Sequence, residues 1–88
     1  RLPMKTIRYS KQALDFLSKI QQNERHKIIT KIEQYADNPG ALKNQIKKLT
    51  GLPFYRLRVG DYRVVFDESG LILNIVKIGR RKDIYKGV

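Results

Sequence analysis

The residues with the clearest capacity for chemistry are three arginines, Arg56, Arg58 and Arg63, within FYRLRVGDYRVVF (54–66). A two-residue Gly60-Asp61 turn between alternating runs predicts a β-hairpin. It pairs Val59 with Tyr62, Arg58 with Arg63, Leu57 with Val64 and Arg56 with Val65. Tyr55, Leu57, Val59, Tyr62, Val64 and Phe66 then share one face, and the arginines share the other. Like charges set opposite one another destabilise a strand pair by up to about 1 kcal/mol, so a face of this kind calls for an anion. Guanidinium groups bind phosphate oxygens in bidentate fashion, and an aromatic ring can stack on an unstacked base. The ending IGRRKDIY (78–85) adds both features. Pattern alone therefore points to an RNA- or phosphate-binding α+β domain.

Several elements must position these groups. Residues 4–9 read as a short strand, and Ser10 as the N-cap of a helix with apolar positions Ala13, Leu14, Leu17 and Ile20. Asn23 interrupts and is placed to cap a second helix, whose stripe is Ile28, Ile29, Ile32, Tyr35 and Ala36. Asp37-Asn38-Pro39-Gly40 ends it. The two helices form an antiparallel hairpin over the apolar face of the strands. Residues 41–53 read as a connector anchored by Leu42, Ile46 and Leu49. Asp67-Glu68-Ser69-Gly70 reads as a turn, followed by a last strand, LILNIVKI (71–78), that is apolar on both parities. Phe66 opposite Leu71 would place Arg63 opposite Asn74, over an apolar floor of Val65, Ile72 and Val76. The fold class is α+β: an N-terminal strand, a helical hairpin, then a three-strand antiparallel meander with the helices on one face of the sheet.

Composition narrows the function. A chain of 88 residues supports one small domain. The expected domain is 4–88: Met4 reads as a natural start, which would make Arg1-Leu2-Pro3 a remnant ahead of it. Nineteen Lys and Arg against eight Asp and Glu leave a net charge of +11, which favours nucleic acid or an acidic protein as partner. There is no cysteine, in keeping with a cytoplasmic protein and against thiolate metal sites. With a single histidine, His26, a histidine-rich metal site is excluded. His26 lies off the apolar stripe and reads as a surface residue. No apolar run approaches the ~20 residues of a membrane span, so no membrane partner is expected.

The segments KLTGLP (48–53), YRLRVGDYRVV (55–65) and IGRRKDIY (78–85) resemble the RelE family within the RelE/ParE superfamily of toxins. The likeness runs in order from Met4 and implies a RelE-like, microbial ribonuclease-like fold. It implies the toxin of a type II toxin–antitoxin system, partnered by a cognate antitoxin. It further implies a ribosome-dependent messenger RNA endonuclease that cleaves A-site codons by 2′-OH attack on the adjacent phosphate, with no cofactor, no metal and no small-molecule substrate.

On the same resemblance, Arg63 stabilises the phosphate and Arg81 sits by the leaving group and scissile phosphate. Tyr85 stacks on or orients the substrate. Arg56 and Arg58 fill positions that are lysine in some relatives. Because arginine stays charged in proteins, they are expected to act as electrostatic stabilisers. The proton acceptor stays open between Tyr85 and solvent or a ribosomal RNA group. Asp83 would brace Arg81 or cap a turn. Lys47, Lys48, Arg80 and Lys82 are candidate RNA-backbone contacts, with a solvated surface as the alternative. A ParE-like gyrase inhibitor and a catalytically degenerate antitoxin-binding relative are the competing functions.

Overall fold

The computed structural model describes residues 5–80. In chain order it runs β1 (Thr6–Tyr9), α1 (Lys11–Lys19), α2 (Gln22–Asp37), a 3₁₀ segment (Pro39–Gln45), β2 (Ile46–Lys48), β3 (Tyr55–Val59), β4 (Tyr62–Ser69) and β5 (Ile72–Gly79). The strands form one sheet in the order β1-β5-β4-β3-β2. Strands β2 to β5 are antiparallel neighbours, and β1 lies parallel to β5 at the edge.

Local chemistry accounts for most boundaries. Ser10 caps α1 as its side chain suggests, accepting from the Ala13 amide at 3.1 Å. The same hydroxyl donates to the Val76 carbonyl at 2.7 Å, tying the helix start to β5. The interruption between the helices falls earlier than expected. Helix α1 stops at Lys19, Ile20 and Gln21 are extended, and Asn23 lies inside α2, where its Oδ1 accepts from the Glu24 amide. Asn23 is therefore not the cap. The junction is held from α2 by Arg25, whose Nε donates to the Leu17 carbonyl (2.7 Å) and Nη2 to that of Ile20 (3.2 Å). These are carbonyls that a helix end leaves without partners.

The helices cover one face of the sheet. Ala13 and Leu17 of α1, and Ile28, Ile32, Tyr35 and Ala36 of α2, pack with Leu57, Val59, Tyr62, Val64, Phe66, Leu73, Ile75 and Ile78 in a single core. Burying each large aliphatic or aromatic side chain contributes roughly 1.5–3 kcal/mol. Phe66 sits between the rings of Tyr35 (centroids 5.1 Å apart) and Tyr55 (5.6 Å), and Phe16 meets Tyr62 edge-on at 5.9 Å. Leu14, expected on the apolar stripe, instead stays 55 % exposed at the margin of that face.

Three expectations about the sheet need correction. The connector holds a strand: β2 pairs Ile46 with Leu57, Lys47 with Arg56 and Lys48 with Tyr55, extending the meander. Residues 67–69 are not a turn. Strand β4 continues to Ser69 opposite Ile72, and the chain reverses at Gly70, whose φ of +60° suits glycine. Finally, Arg63 lies opposite Gly79 and not Asn74. The register shifts between Val65 and Phe66, which pair with Lys77 and Ile75 and leave Val76 as the extra residue of a β-bulge. The bulge lets both Ile75 and Ile78 face the core despite their three-residue spacing.

Candidate nucleic-acid interface

The hairpin register is the one its sequence pattern suggests: Val59 opposite Tyr62, Arg58 opposite Arg63, Leu57 opposite Val64 and Arg56 opposite Val65. Residues directly opposite each other share a face. Lys47, Arg56, Val65 and Lys77 thus form one row across β2-β3-β4-β5, and Arg58, Arg63 and Gly79 form the next. This is the face away from the helices. Val65 is fully buried there yet lies outside the helix-side core, under its long charged neighbours.

Lys47, Lys48, Arg56, Arg58 and Arg63, with Leu49 and Thr50, line a cleft of about 390 Å³. Arg63 Nη1 donates to the carbonyls of Gly60 (3.3 Å) and Tyr62 (3.2 Å), which anchors its guanidinium at the hairpin end. Arg56 Nε is buried without a hydrogen-bond partner among the described residues. A buried donor left unpaired costs roughly 1–3 kcal/mol, more when charged. Among the described residues, none of the ion pairs involves Lys47, Arg56, Arg58 or Arg63. Chemically, the cleft offers several fixed positive charges and unspent N–H donors at close quarters, suited to phosphate.

The other candidate residues separate. Lys48 lies at the rim on the helix side, its ammonium 5.8 Å from the Tyr55 ring centroid and bonded to the Leu52 carbonyl at 3.0 Å. Arg80 is not in the cleft. Its guanidinium packs over Tyr62 (5.2 Å to the centroid) and Nη2 donates to the Tyr62 hydroxyl at 3.1 Å, beside Asp61, Glu24 and Lys27. Arg81, Lys82, Asp83 and Tyr85 lie outside the described residues. Asn74, expected to contact Arg63, instead donates to Asp67 Oδ1 at 2.8 Å. Lys77 is the residue that sequence reasoning missed. Simple alternation assigns it to the helix side, and the bulge turns it to the arginine face.

The sequence matches the family described as ParE toxin of type II toxin–antitoxin system, parDE, over residues 7–85. The chain belongs to this family, within the RelE/ParE superfamily, and is accordingly a toxin of a type II toxin–antitoxin system. Solved structures share its fold. The RelB–RelE antitoxin–toxin complex from Methanococcus jannaschii aligns with TM-score 0.70 at 27 % identity, covering 92 % of this chain and 98 % of that one. The RelE–RelB complex from Pyrococcus horikoshii aligns with TM-score 0.73 at 21 % identity, covering 91 % and 98 %. A YoeB/ParE toxin from Agrobacterium tumefaciens aligns with TM-score 0.70 at 18 % identity, covering 86 % and 98 %. None of the curated protein sequences matches this chain.

Proposed function

We propose that this toxin is a metal-independent, ribosome-dependent endoribonuclease that cleaves messenger RNA in the A site. The observation that carries the reading is the cleft on the uncovered sheet face, where Lys47, Arg56, Arg58 and Arg63 converge and Arg56 Nε has no partner. In the reaction, the ribose 2′-oxygen attacks the adjacent phosphorus and the bond to the 5′-oxygen breaks. A 2′,3′-cyclic phosphate and a 5′-hydroxyl result. One proton leaves the 2′-OH and one reaches the leaving oxygen. Excess negative charge builds on the phosphoryl oxygens, and prepositioned donors that meet it there contribute most of the protein's share, about 3 kcal/mol for a key donor. Arg56, Arg58 and Arg63 take that role, Arg81 serves the leaving group, and Tyr85 orients the substrate. Lys47, Lys48 and Lys82 hold flanking RNA backbone, and Arg80, held on Tyr62 outside the cleft, reaches RNA only beyond its edge. The natural partners are the ribosome with its message and a cognate antitoxin, which would set acidic side chains against the basic surface. The RelE structures from Methanococcus jannaschii and Pyrococcus horikoshii are both complexes with RelB, which supports that pairing.

The test is a purified translation system. Cleavage within A-site codons, mapped by primer extension, should depend on ribosomes and fall by about 10²–10³ on Arg63→Ala. Intact messages at stoichiometric toxin would refute the reading. The match to the ParE family favours a second one, inhibition of DNA gyrase through protein contact. Gyrase-dependent DNA breaks with translation intact would establish it instead.

A further inference from the structure

The arginine cleft occupies only part of the uncovered face. The next row, Arg8-Asn74-Asp67 across β1-β5-β4, adds an amide and a carboxylate to one exposed arginine at the sheet edge. Asp67 lies directly opposite Asn74, two residues along from the pair Val65 and Lys77 on β4, and Asn74 Nδ2 donates to Asp67 Oδ1 at 2.8 Å. At a strand rise of about 3.3 Å per residue, this row sits roughly 7 Å from the Lys47-Arg56-Val65-Lys77 row. Phe54 shares the parity of Arg56 and Arg58. Continuing the register one step past Tyr55 and Phe66 brings it opposite Asp67. Phe54 is half-buried, and it belongs neither to the core nor to the hydrophobic residues packed against it.

From this juxtaposition we propose that Phe54, Asp67 and Asn74 form a base-reading subsite selective for guanine, beside the cationic row that holds the backbone. The inference rests on the endoribonuclease reading. Three points of chemistry support it. The Asp67 carboxylate repels phosphate, and Arg8, opposite Asn74 at the sheet edge, makes no ion pair with it among the described residues, so this row does not simply extend the backbone track. Asp67 makes no ion pair among the described residues, although the sheet is rich in cations. Its single described bond leaves most of its acceptor capacity unused, since a carboxylate has about four lone-pair sites. A base edge with two adjacent N–H donors matches two carboxylate oxygens. The Watson–Crick edge of guanine, with N1–H and the 2-amino group, is such an edge. Asn74 fixes the carboxylate plane through Oδ1 and keeps an amide oxygen and one N–H for the same base. Phe54 supplies a ring on which an unstacked base can lie, the usual way single-stranded RNA bases are held. Uracil, whose edge is mainly acceptors, would meet the carboxylate with repulsion.

The experiment compares ribosome-bound messages carrying guanosine or inosine at each position of the A-site codon. Inosine keeps N1–H and lacks only the 2-amino group. At one position, wild-type toxin should cut the guanosine message at least fivefold faster. Asp67→Asn, which keeps the size of the side chain, should bring that ratio to within twofold of unity, whereas Phe54→Ala, which removes a stacking surface common to both bases, should slow both messages. A wild-type ratio retained in Asp67→Asn, or an unchanged rate in Phe54→Ala, would overturn the subsite while leaving the nuclease intact. Should the wild type cut no message, the nuclease reading falls. The subsite is then judged by affinity for single-stranded RNA containing one guanosine or one inosine, and equal affinities overturn it.

Discussion

Gln12 offers the sharpest test of how the fold holds the site. Strand β1 ends at Tyr9, so the last residues of β5 have no strand neighbour on that side. Gln12 takes its place: Nε2 donates to the Ile78 carbonyl at 3.0 Å, and Oε1 accepts from the Ile78 amide at 2.9 Å. The next residue, Gly79, pairs with Arg63. Gln12→Ala removes two bonds worth about 0.5–1.5 kcal/mol each and exposes two part-buried backbone groups to an imperfect substitute in water. A loss of about 2 kcal/mol is expected, against about 4–13 kcal/mol for a domain of this length. It corresponds to a fall in Tm of roughly 8–16 °C. Urea melts followed by circular dichroism would read the stability, and amide exchange at Ile78 and Gly79 would localise it. Gln12→Glu separates the two bonds. At neutral pH its carboxylate still accepts from the Ile78 amide but sets its second oxygen against the carbonyl. It should therefore stay destabilised at pH 7 and recover part of the loss near pH 3, where a carboxylic acid can donate. A Gln12→Ala protein within about 0.5 kcal/mol of wild type, or unchanged exchange at Ile78, would refute the clasp.

Other consequences can be checked more briefly. Removing the Arg25 side chain strips the Leu17 and Ile20 carbonyls of their donor, so Arg25→Ala should cost about 1–3 kcal/mol in a urea melt. The Tyr35 hydroxyl donates to Glu68, and burial, then that carboxylate, push its pKa above the ordinary phenol value. Folding therefore favours the protonated phenol. Its contribution is complete below about pH 10 and is lost as pH rises beyond that point, where the unfolded chain ionises first. Alkaline unfolding above pH 10 should be attenuated in Tyr35→Phe. If Lys47, Arg56, Arg58 and Arg63 each meet a phosphate, binding to single-stranded RNA should fall with log salt at a slope of about −3. Lys47→Ala should make that slope shallower by about 0.7, and an unaltered slope would remove Lys47 from the contact.

The parts of this molecule that were legible in its sequence are those governed by local rules. Gly60-Asp61 between two alternating runs leaves one economical pairing, so the opposition of Arg58 and Arg63 could be read directly. The stripe Ile28, Ile32, Tyr35 and Ala36 follows helical geometry and is buried as that spacing requires. Asn23 misled because α2 starts from Gln21, which makes no side-chain cap bond. The junction is set instead at the end of α1, where Arg25 donates to the Leu17 and Ile20 carbonyls in a contact that no capping pattern encodes. Strand β2 escaped notice for a similar reason. Three residues with one apolar side chain carry no periodicity, and what makes them a strand is the waiting edge of β3.

The same distinction decides where Lys77 points, and with it the extent of the cationic face. In LNIVKIG (73–79), strict alternation would set Leu73, Ile75, Lys77 and Gly79 together on the core side. A lysine among Leu57, Val64 and Phe66 would bury an ammonium with no counter-charge, at a cost of several kcal/mol. One bulged residue at Val76 resolves the conflict, placing Ile78 in the core and Lys77 beside Val65. The hint was present in the sequence, since Leu73, Ile75 and Ile78 fit one face only if a residue is skipped. Deleting Val76 should restore alternation and force Lys77 inward. The deletion should therefore destabilise the domain by more than Val76→Ala, which only trims a half-exposed side chain. Adding Lys77→Met to the deletion should recover part of the difference. Equal melts for the deletion with lysine and with methionine would show that charge burial is not what fixes the bulge.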